Sequence, residues 1–192
     1  MMLRYAITDR HYSIANAHRW AANGVDFVQL RDKKLHAAEL AKLARAILKD
    51  LAEVPGAKAR LLINSRADVA IAAGAAGVHL TTHPNELTPE QVLRIFAIAN
   101  RPAPLISVSC HTLEEVHRAC AAAVDLILFG PVFEKRVEGE PVSPGVGLQA
   151  LHEACTAAAE VPVLALGGVT AELADDCLRA GAKGVAGIRL FG

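Results

Sequence analysis

Residues 59–81 read ARLLINSRADVAIAAGAAGVHLT, and their order decides the fold. Two short apolar runs, ARLLINS (59–65) and GVHLT (77–81), enclose an alanine-rich helical stretch. Strand, helix and strand in that order make a βαβ unit, whose strands lie parallel in one sheet. Toward the N-terminus the pattern continues in LRYAIT (3–8) and VDFVQLR (25–31). Toward the C-terminus it continues in LISVSC (105–110), DLILFG (125–130), VPVLALGG (161–168) and GVAGIRLF (184–191). The segments between carry apolar residues at three- and four-residue spacing, as in Leu40, Leu43, Ala44, Ile47 and Leu48. Thr88-Pro89 opens one helix, and Thr170 is placed to cap AELADDCLRA, with Gly181 just past its end.

Eight strands in strict alternation with helices favour closure into a (β/α)8 TIM barrel over an open doubly wound sheet. A dinucleotide-binding sheet is disfavoured because ITDRHYS, and no GxGxxG, follows the first run. Residues 1–192 are read as a single barrel domain. The eighth run lies against Gly192, so the last outer helix is expected to be absent. The flank beside the first and seventh helices would then be an apolar patch for another subunit to cover, and a homo-oligomer is expected.

Composition narrows the function. Hydrophobic residues make up 53% and aromatics 4%, so the core is aliphatic. Lys+Arg and Asp+Glu number 20 each, which leaves no basic field for nucleic acid. The N-terminus MMLRYAITDRHYS has no apolar signal segment, and no run is long enough to span a membrane. Cys110, Cys120, Cys155 and Cys177 are scattered without a CxxC, as in structural thiols of a reducing compartment. A cytoplasmic location is expected. His79 and His83 stand four apart, but Pro84 follows and no HExxH surrounds them, which argues against zinc.

Active sites of such barrels lie at the C-terminal strand ends. The polar residues there are Thr8-Asp9, Arg31-Asp32-Lys33, Asn64-Ser65-Arg66, His79, Ser109-Cys110-His111, Gly167-Gly168 and Gly187 to Arg189. Several have plain structural readings: Ser65 and Thr112 as helix caps, His79 as a hydrogen-bonded interior histidine, Arg66 as the partner of Asp68. Gln29, Arg31 and Lys33 share one parity, so one strand face carries an amide and two cations to the mouth. Unpaired cations there point to an anion, which Arg binds with its fork and Lys as a point charge. Gly167-Gly168, between a strand and a helix start, reads as a second anion site of backbone N–H groups assisted by the helix dipole. Residues 131–147 form the longest helix-free stretch and read as a charged lid or an ordinary surface loop.

The motifs YAITD, VQLRDK, LLINSRADVAIAAGAAGVHL, SVSCHTLEEV, DLILFGPVFEK, GVGLQAL, VPVLALGGVT and AGAKGVAGI, in this order, resemble thiamine phosphate synthase and its relative, thiazole tautomerase. The resemblance implies a (β/α)8 barrel that couples hydroxymethylpyrimidine diphosphate to thiazole phosphate and releases pyrophosphate with magnesium. It places Gln29, Arg31 and Lys33 on the pyrimidine and diphosphate, with Asn64 beside them. Ser109 and His111 match its Ser-Thr-His-Thr motif, and Gly168 and the backbone near Ile188 match the thiazole phosphate site.

This sequence also departs from the synthase. Ser65 stands where the synthase has a magnesium-binding Asp, TTHPNELTP replaces an acidic motif, and Lys135-Arg136-Val137-Glu138 replaces Thr-x-Thr-Lys. The catalytic group expected is Lys33, Ser109, His111 and Lys135. Substrate contacts are expected from Gln29, Arg31, Asn64, Ser65, His79, Arg136, Gly168 and Ile188, and a displaced metal carboxylate from Glu86. Two alternatives stand beside the synthase. One is a tautomerase-like isomerase using His79 or His111, although Pro131 replaces the tautomerase's catalytic His. The other is a non-catalytic binder of thiazole or thiamine phosphate.

Overall fold

Side chains of a strand alternate between two faces, and in a closed barrel both faces are covered, one by the barrel interior and one by helices. The second strand shows the consequence: Phe27 and Gln29 turn inward while Val28 and Leu30 pack under the helices, and all four are buried. The computed structural model describes residues 2–8, 16–137 and 140–191, and side chains except those of 135–143. Asp9 lies outside the described residues.

The barrel strands are β1 (Leu3–Ile7), β2 (Phe27–Leu30), β3 (Arg60–Asn64), β4 (Gly77–Leu80), β5 (Leu105–Cys110) and β6 (Leu126–Phe129). After an antiparallel pair, β7 (Lys135–Val137) and β8 (Glu140–Ser143), come β9 (Val163–Leu166) and β10 (Gly184–Gly187). The order β1-β10-β9-β6-β5-β4-β3-β2 closes on itself with every pairing parallel. The expected TIM barrel is therefore present.

The helices are α1 (Ala17–Ala22), α2 (Ala37–Ala52), α3 (Ala67–Ala73), α4 (Pro89–Ile98), α5 (Leu113–Ala121), α6 (Gly147–Ala158) and α7 (Ala174–Arg179). α2 buries Leu40, Ala41, Ala44, Ile47 and Leu51, so its apolar face lies slightly to one side of the expected stripe. Thr88 caps α4 by accepting from the Gln91 N–H, with Pro89 at the first helical position. Thr112 caps α5 in the same way through the Glu115 N–H.

Three expectations change. The helix expected from Thr170 begins only at Ala174, after a turn closed by the Leu173 N–H on the Thr170 carbonyl. The last strand ends at Gly187, with Ile188 and Arg189 in a bend; among the described residues no helix follows it. The charged stretch after β6 contains a hairpin, with Arg136 paired to Pro141 and Val137 to Glu140. Charged residues conceal a strand whose pairing is local.

Inside the barrel, Tyr5, Ile7, Phe27, Leu62, Leu126, Leu128, Leu164 and Ala186 fill the space below the mouth. Tyr5 and Phe27 approach at 5.7 Å between ring centroids, and the Arg60 guanidinium lies 4.6 Å from the Phe27 ring. No helix among the described residues is long and apolar enough to cross a membrane. The four thiols are free; burial raises Cys110 to about 12 and, as the leading cause, Cys155 and Cys177 to about 11. They stay protonated at neutral pH, as structural cysteines do.

Candidate active site

Strand register sets which residues meet at the mouth. Gln29 lies opposite Leu62, so Arg31, just past the end of β2, comes level with Asn64 at the end of β3. Asn64 in turn lies opposite His79 on β4. The strand parity that reaches Gln29 does not extend to Lys33, because β2 ends at Leu30. An Asx turn holds that segment instead: the Asp32 carboxylate accepts from the Lys34 N–H at 2.8 Å and the Leu35 N–H at 3.2 Å. The Arg31 N–H is anchored on the Thr8 hydroxyl at 2.9 Å.

Arg31 and Lys33 line one cavity of roughly 370 Å³ with Asn64, Ser65, Thr81, His83, Asn85 and Glu86. Five of these eight belong to the expected site. Thr81, His83 and Asn85 were not expected to contribute to it; their one signal was the turn-forming Pro84-Asn85 just past a strand end. Ser65 does not cap α3. Its φ is 57°, a left-handed conformation that costs a non-glycine residue about 1–2 kcal/mol. In that conformation the Ser65 hydroxyl donates to Glu86 Oε2 at 2.5 Å. The same carboxylate oxygen accepts from the Thr81 N–H and hydroxyl, each at 3.3 Å. Arg66 forms its expected exposed pair with Asp68, at 2.8 and 2.6 Å.

Below the cavity, a buried polar chain crosses the interior. Tyr5 Oη meets Ser107 Oγ at 3.0 Å, Ser107 Oγ meets His79 Nδ1 at 2.8 Å, and His79 Nε2 meets Ser109 Oγ at 2.9 Å. His79 is thus the interior histidine of the structural reading, touching the expected site through Ser109. Burial, and secondarily the charge of Arg31, lower its pKa from 6.5 to about 3. The unfolded chain therefore binds a proton below 6.5 that the native state refuses until about 3. Native stability should fall with pH across that window, by up to about 1.4 kcal/mol per pH unit from this residue. We expect urea unfolding of His79→Gln to show a shallower acid slope than the wild type, and parallel slopes would contradict the assignment.

The opposite side of the mouth holds the remaining described candidates. Ala186 pairs with Leu166, so Ile188 and Gly168 come level two residues beyond that pair. The helix-dipole argument for Gly167-Gly168 fails, because α7 begins six residues after Gly168. Packing explains the glycines better. At φ values of 90° and 65°, a Cβ would lie 2.5 Å from the Pro131 side chain at Gly167, and 2.7 Å from the Glu134 carbonyl at Gly168. His111 Nδ1 donates to the Gly130 carbonyl, and its backbone N–H donates to Glu115 at 2.6 Å. Lys135 and Arg136 lie in β7, but their side chains are outside the description. No His, Cys, Asp or Glu cluster of three converges for a metal among the described residues.

Comparison with known proteins identifies the family of this barrel. The family model described as thiamine monophosphate synthase matches residues 4–191. A putative thiamine-phosphate synthase of Geobacter sulfurreducens is 43% identical over 190 residues, covering 95% of this chain and 83% of that protein. A thiamine-phosphate synthase of Methanoculleus marisnigri is 38% identical over 187 residues, again covering 95% and 83%. Among solved structures, thiamine phosphate pyrophosphorylase from Pyrococcus furiosus superposes with a TM-score of 0.82 at 26% identity, over 97% of this chain and 85% of that one. With a family model spanning almost the whole barrel and relatives this similar over 83% of their length, the chain belongs to the thiamine monophosphate synthase family.

Proposed function

We propose that this single barrel domain is a thiamine-phosphate synthase, a cytoplasmic transferase acting on small phosphorylated substrates. In the reaction the thiazole nitrogen forms a bond to the pyrimidine methylene carbon while the bond from that carbon to the diphosphate breaks. Pyrophosphate leaves with the bonding electron pair. The observation that carries the reading is the convergence of Arg31 and Lys33 on one cavity, at the end of β2, beside a polar wall. Two cations at that point neutralise charge developing on the leaving group.

The donor set also fits magnesium, which keeps several waters and is commonly held by one or two carboxylates plus substrate phosphate. Among the described residues Glu86 supplies the one carboxylate lining the cavity, and Thr81 supplies a further oxygen. Magnesium bound there with the diphosphate would add Lewis-acid neutralisation of the departing charge. Gln29 and Asn64 orient the pyrimidine, Ser109 faces it from β5, and Gly168 with the Ile188 backbone faces the thiazole phosphate. His111 and Lys135 are the further catalytic groups of this reading, and Arg136 is assigned to the phosphates.

The isomerase alternative draws less support. A His79 held neutral down to about 3 does not protonate a substrate near neutrality, and the relatives at 43% and 38% identity carry the synthase name. The test is to incubate the purified chain with hydroxymethylpyrimidine diphosphate and thiazole phosphate, with magnesium or with a chelator. Thiamine phosphate and pyrophosphate in equal amounts, suppressed by the chelator, are expected. No product with either mixture would overturn the reading.

A further inference from the structure

From a directional hydrogen-bond relay we infer that Glu86 is the cation-holding carboxylate of this site and that Ser65 is its positioning residue, linked through Asn64 and Gln29 to the substrate ring. The inference rests on the proposed synthase reading.

The direction of the relay follows from its end. An ionised carboxylate only accepts, so the single hydroxyl proton of Ser65 is committed to Glu86 Oε2 at 2.5 Å. Ser65 Oγ must then accept, which it does from Asn64 Nδ2 at 3.0 Å. Asn64 therefore turns Oδ1 toward Gln29, whose Nε2 donates to it at 2.8 Å. Each step leaves the next one choice, and the amide orientations are set by the carboxylate.

The other end is incomplete. Gln29 is 2% exposed, and its Oε1 is buried with no hydrogen-bond partner among the described residues. A buried acceptor left unpaired costs about 1–3 kcal/mol, so this atom awaits a donor. A ring with an exocyclic amine supplies one. A ligand donating there polarises three aligned hydrogen bonds toward Glu86, and such chains strengthen cooperatively. The ring end and the cation end of one substrate are thereby connected through protein.

Glu86 lies in the same cavity as Arg31 and Lys33. Without a cation, a carboxylate beside a diphosphate repels it; with a cation between them, it attracts. That reversal of sign gives a test that does not depend on turnover. Binding of inorganic pyrophosphate would be measured by calorimetry, with Mn2+ and with a chelator, for wild type, Glu86→Gln, Ser65→Ala and the double variant. We expect Glu86→Gln to weaken manganese–pyrophosphate binding about 10–100-fold. Metal-free pyrophosphate should bind that variant as well as wild type, or more tightly. That comparison also shows the variant is folded.

Ser65→Ala should weaken only the manganese complex, by about tenfold. The double variant should be no worse than Glu86→Gln alone, because Ser65 acts through Glu86. Wild-type affinity for manganese–pyrophosphate in Glu86→Gln overturns the inference and leaves the synthase reading standing. Losses that multiply in the double variant overturn the positioning role of Ser65. A wild-type chain that binds pyrophosphate in neither condition overturns both readings together.

Discussion

Arg31→Ala is expected to lower kcat/KM for the pyrimidine diphosphate by about 10²–10³-fold, the loss seen when one preorganised donor to a developing negative charge is removed. Arg31 is half-buried at the cavity wall, with its backbone tied to Thr8 at 2.9 Å. A guanidinium there offers two parallel donors to phosphate oxygens in a partly desolvated setting, where each charge-assisted bond is strong. Its charge also reaches the interior, since it helps hold His79 neutral. Arg31→Lys keeps the charge and loses the fork, so it should recover only part of the rate. Steady-state pyrophosphate release measures both variants. An unchanged kcat/KM in Arg31→Ala would remove the diphosphate from this cavity.

Gly77→Ala is expected to prevent folding or to cost more than about 4 kcal/mol, the range reserved for severe steric or core damage. Gly77 opens β4, between Leu62 on β3 and Leu105 on β5. A Cβ at this position would lie 1.9 Å from the Leu105 carbonyl oxygen and 2.6 Å from its carbonyl carbon and nitrogen. No side chain can rotate away to relieve that contact, because every atom met is backbone. In an open sheet an edge strand could shift, but β4 is paired on both sides within a closed barrel. Gly56→Ala is the control: its φ is 76° with nothing within 4 Å, so only the left-handed penalty of about 1–2 kcal/mol applies. Soluble yield and urea midpoints compare the two. A folded Gly77→Ala of near wild-type midpoint would show that β4 and β5 can separate at this point.

Much of the barrel was legible because its signals are local. Short apolar runs such as FVQL, and the cap residues Thr88 and Thr112, act within a few residues of themselves. The misreadings have equally local causes. Thr170 has a capping side chain, but the chain turns once more before the helix starts at Ala174. Gly167-Gly168 lack the helix start that was expected beside them, and both glycines are also required by the close approach of Pro131 and Glu134. In one sequence, a glycine kept for backbone proximity looks the same as one kept for a ligand.

By itself the sequence determined the eightfold strand and helix alternation, the inward parity of Phe27 and Gln29, and two cations past the second strand. Periodicity and charge are written residue by residue, so they survive without knowledge of neighbours. Only tertiary structure decided that Ser65 donates to Glu86, 21 residues away, and that Gln29 reaches Asn64 across 35 residues. It also decided that His79 sits in the dry interior, neutral, instead of at the mouth as an acid. Barrel closure brings β2, β3 and β4 side by side and sets their register. Hydrogen-bond partners and desolvation depend on that register, and no local pattern of residue types encodes it.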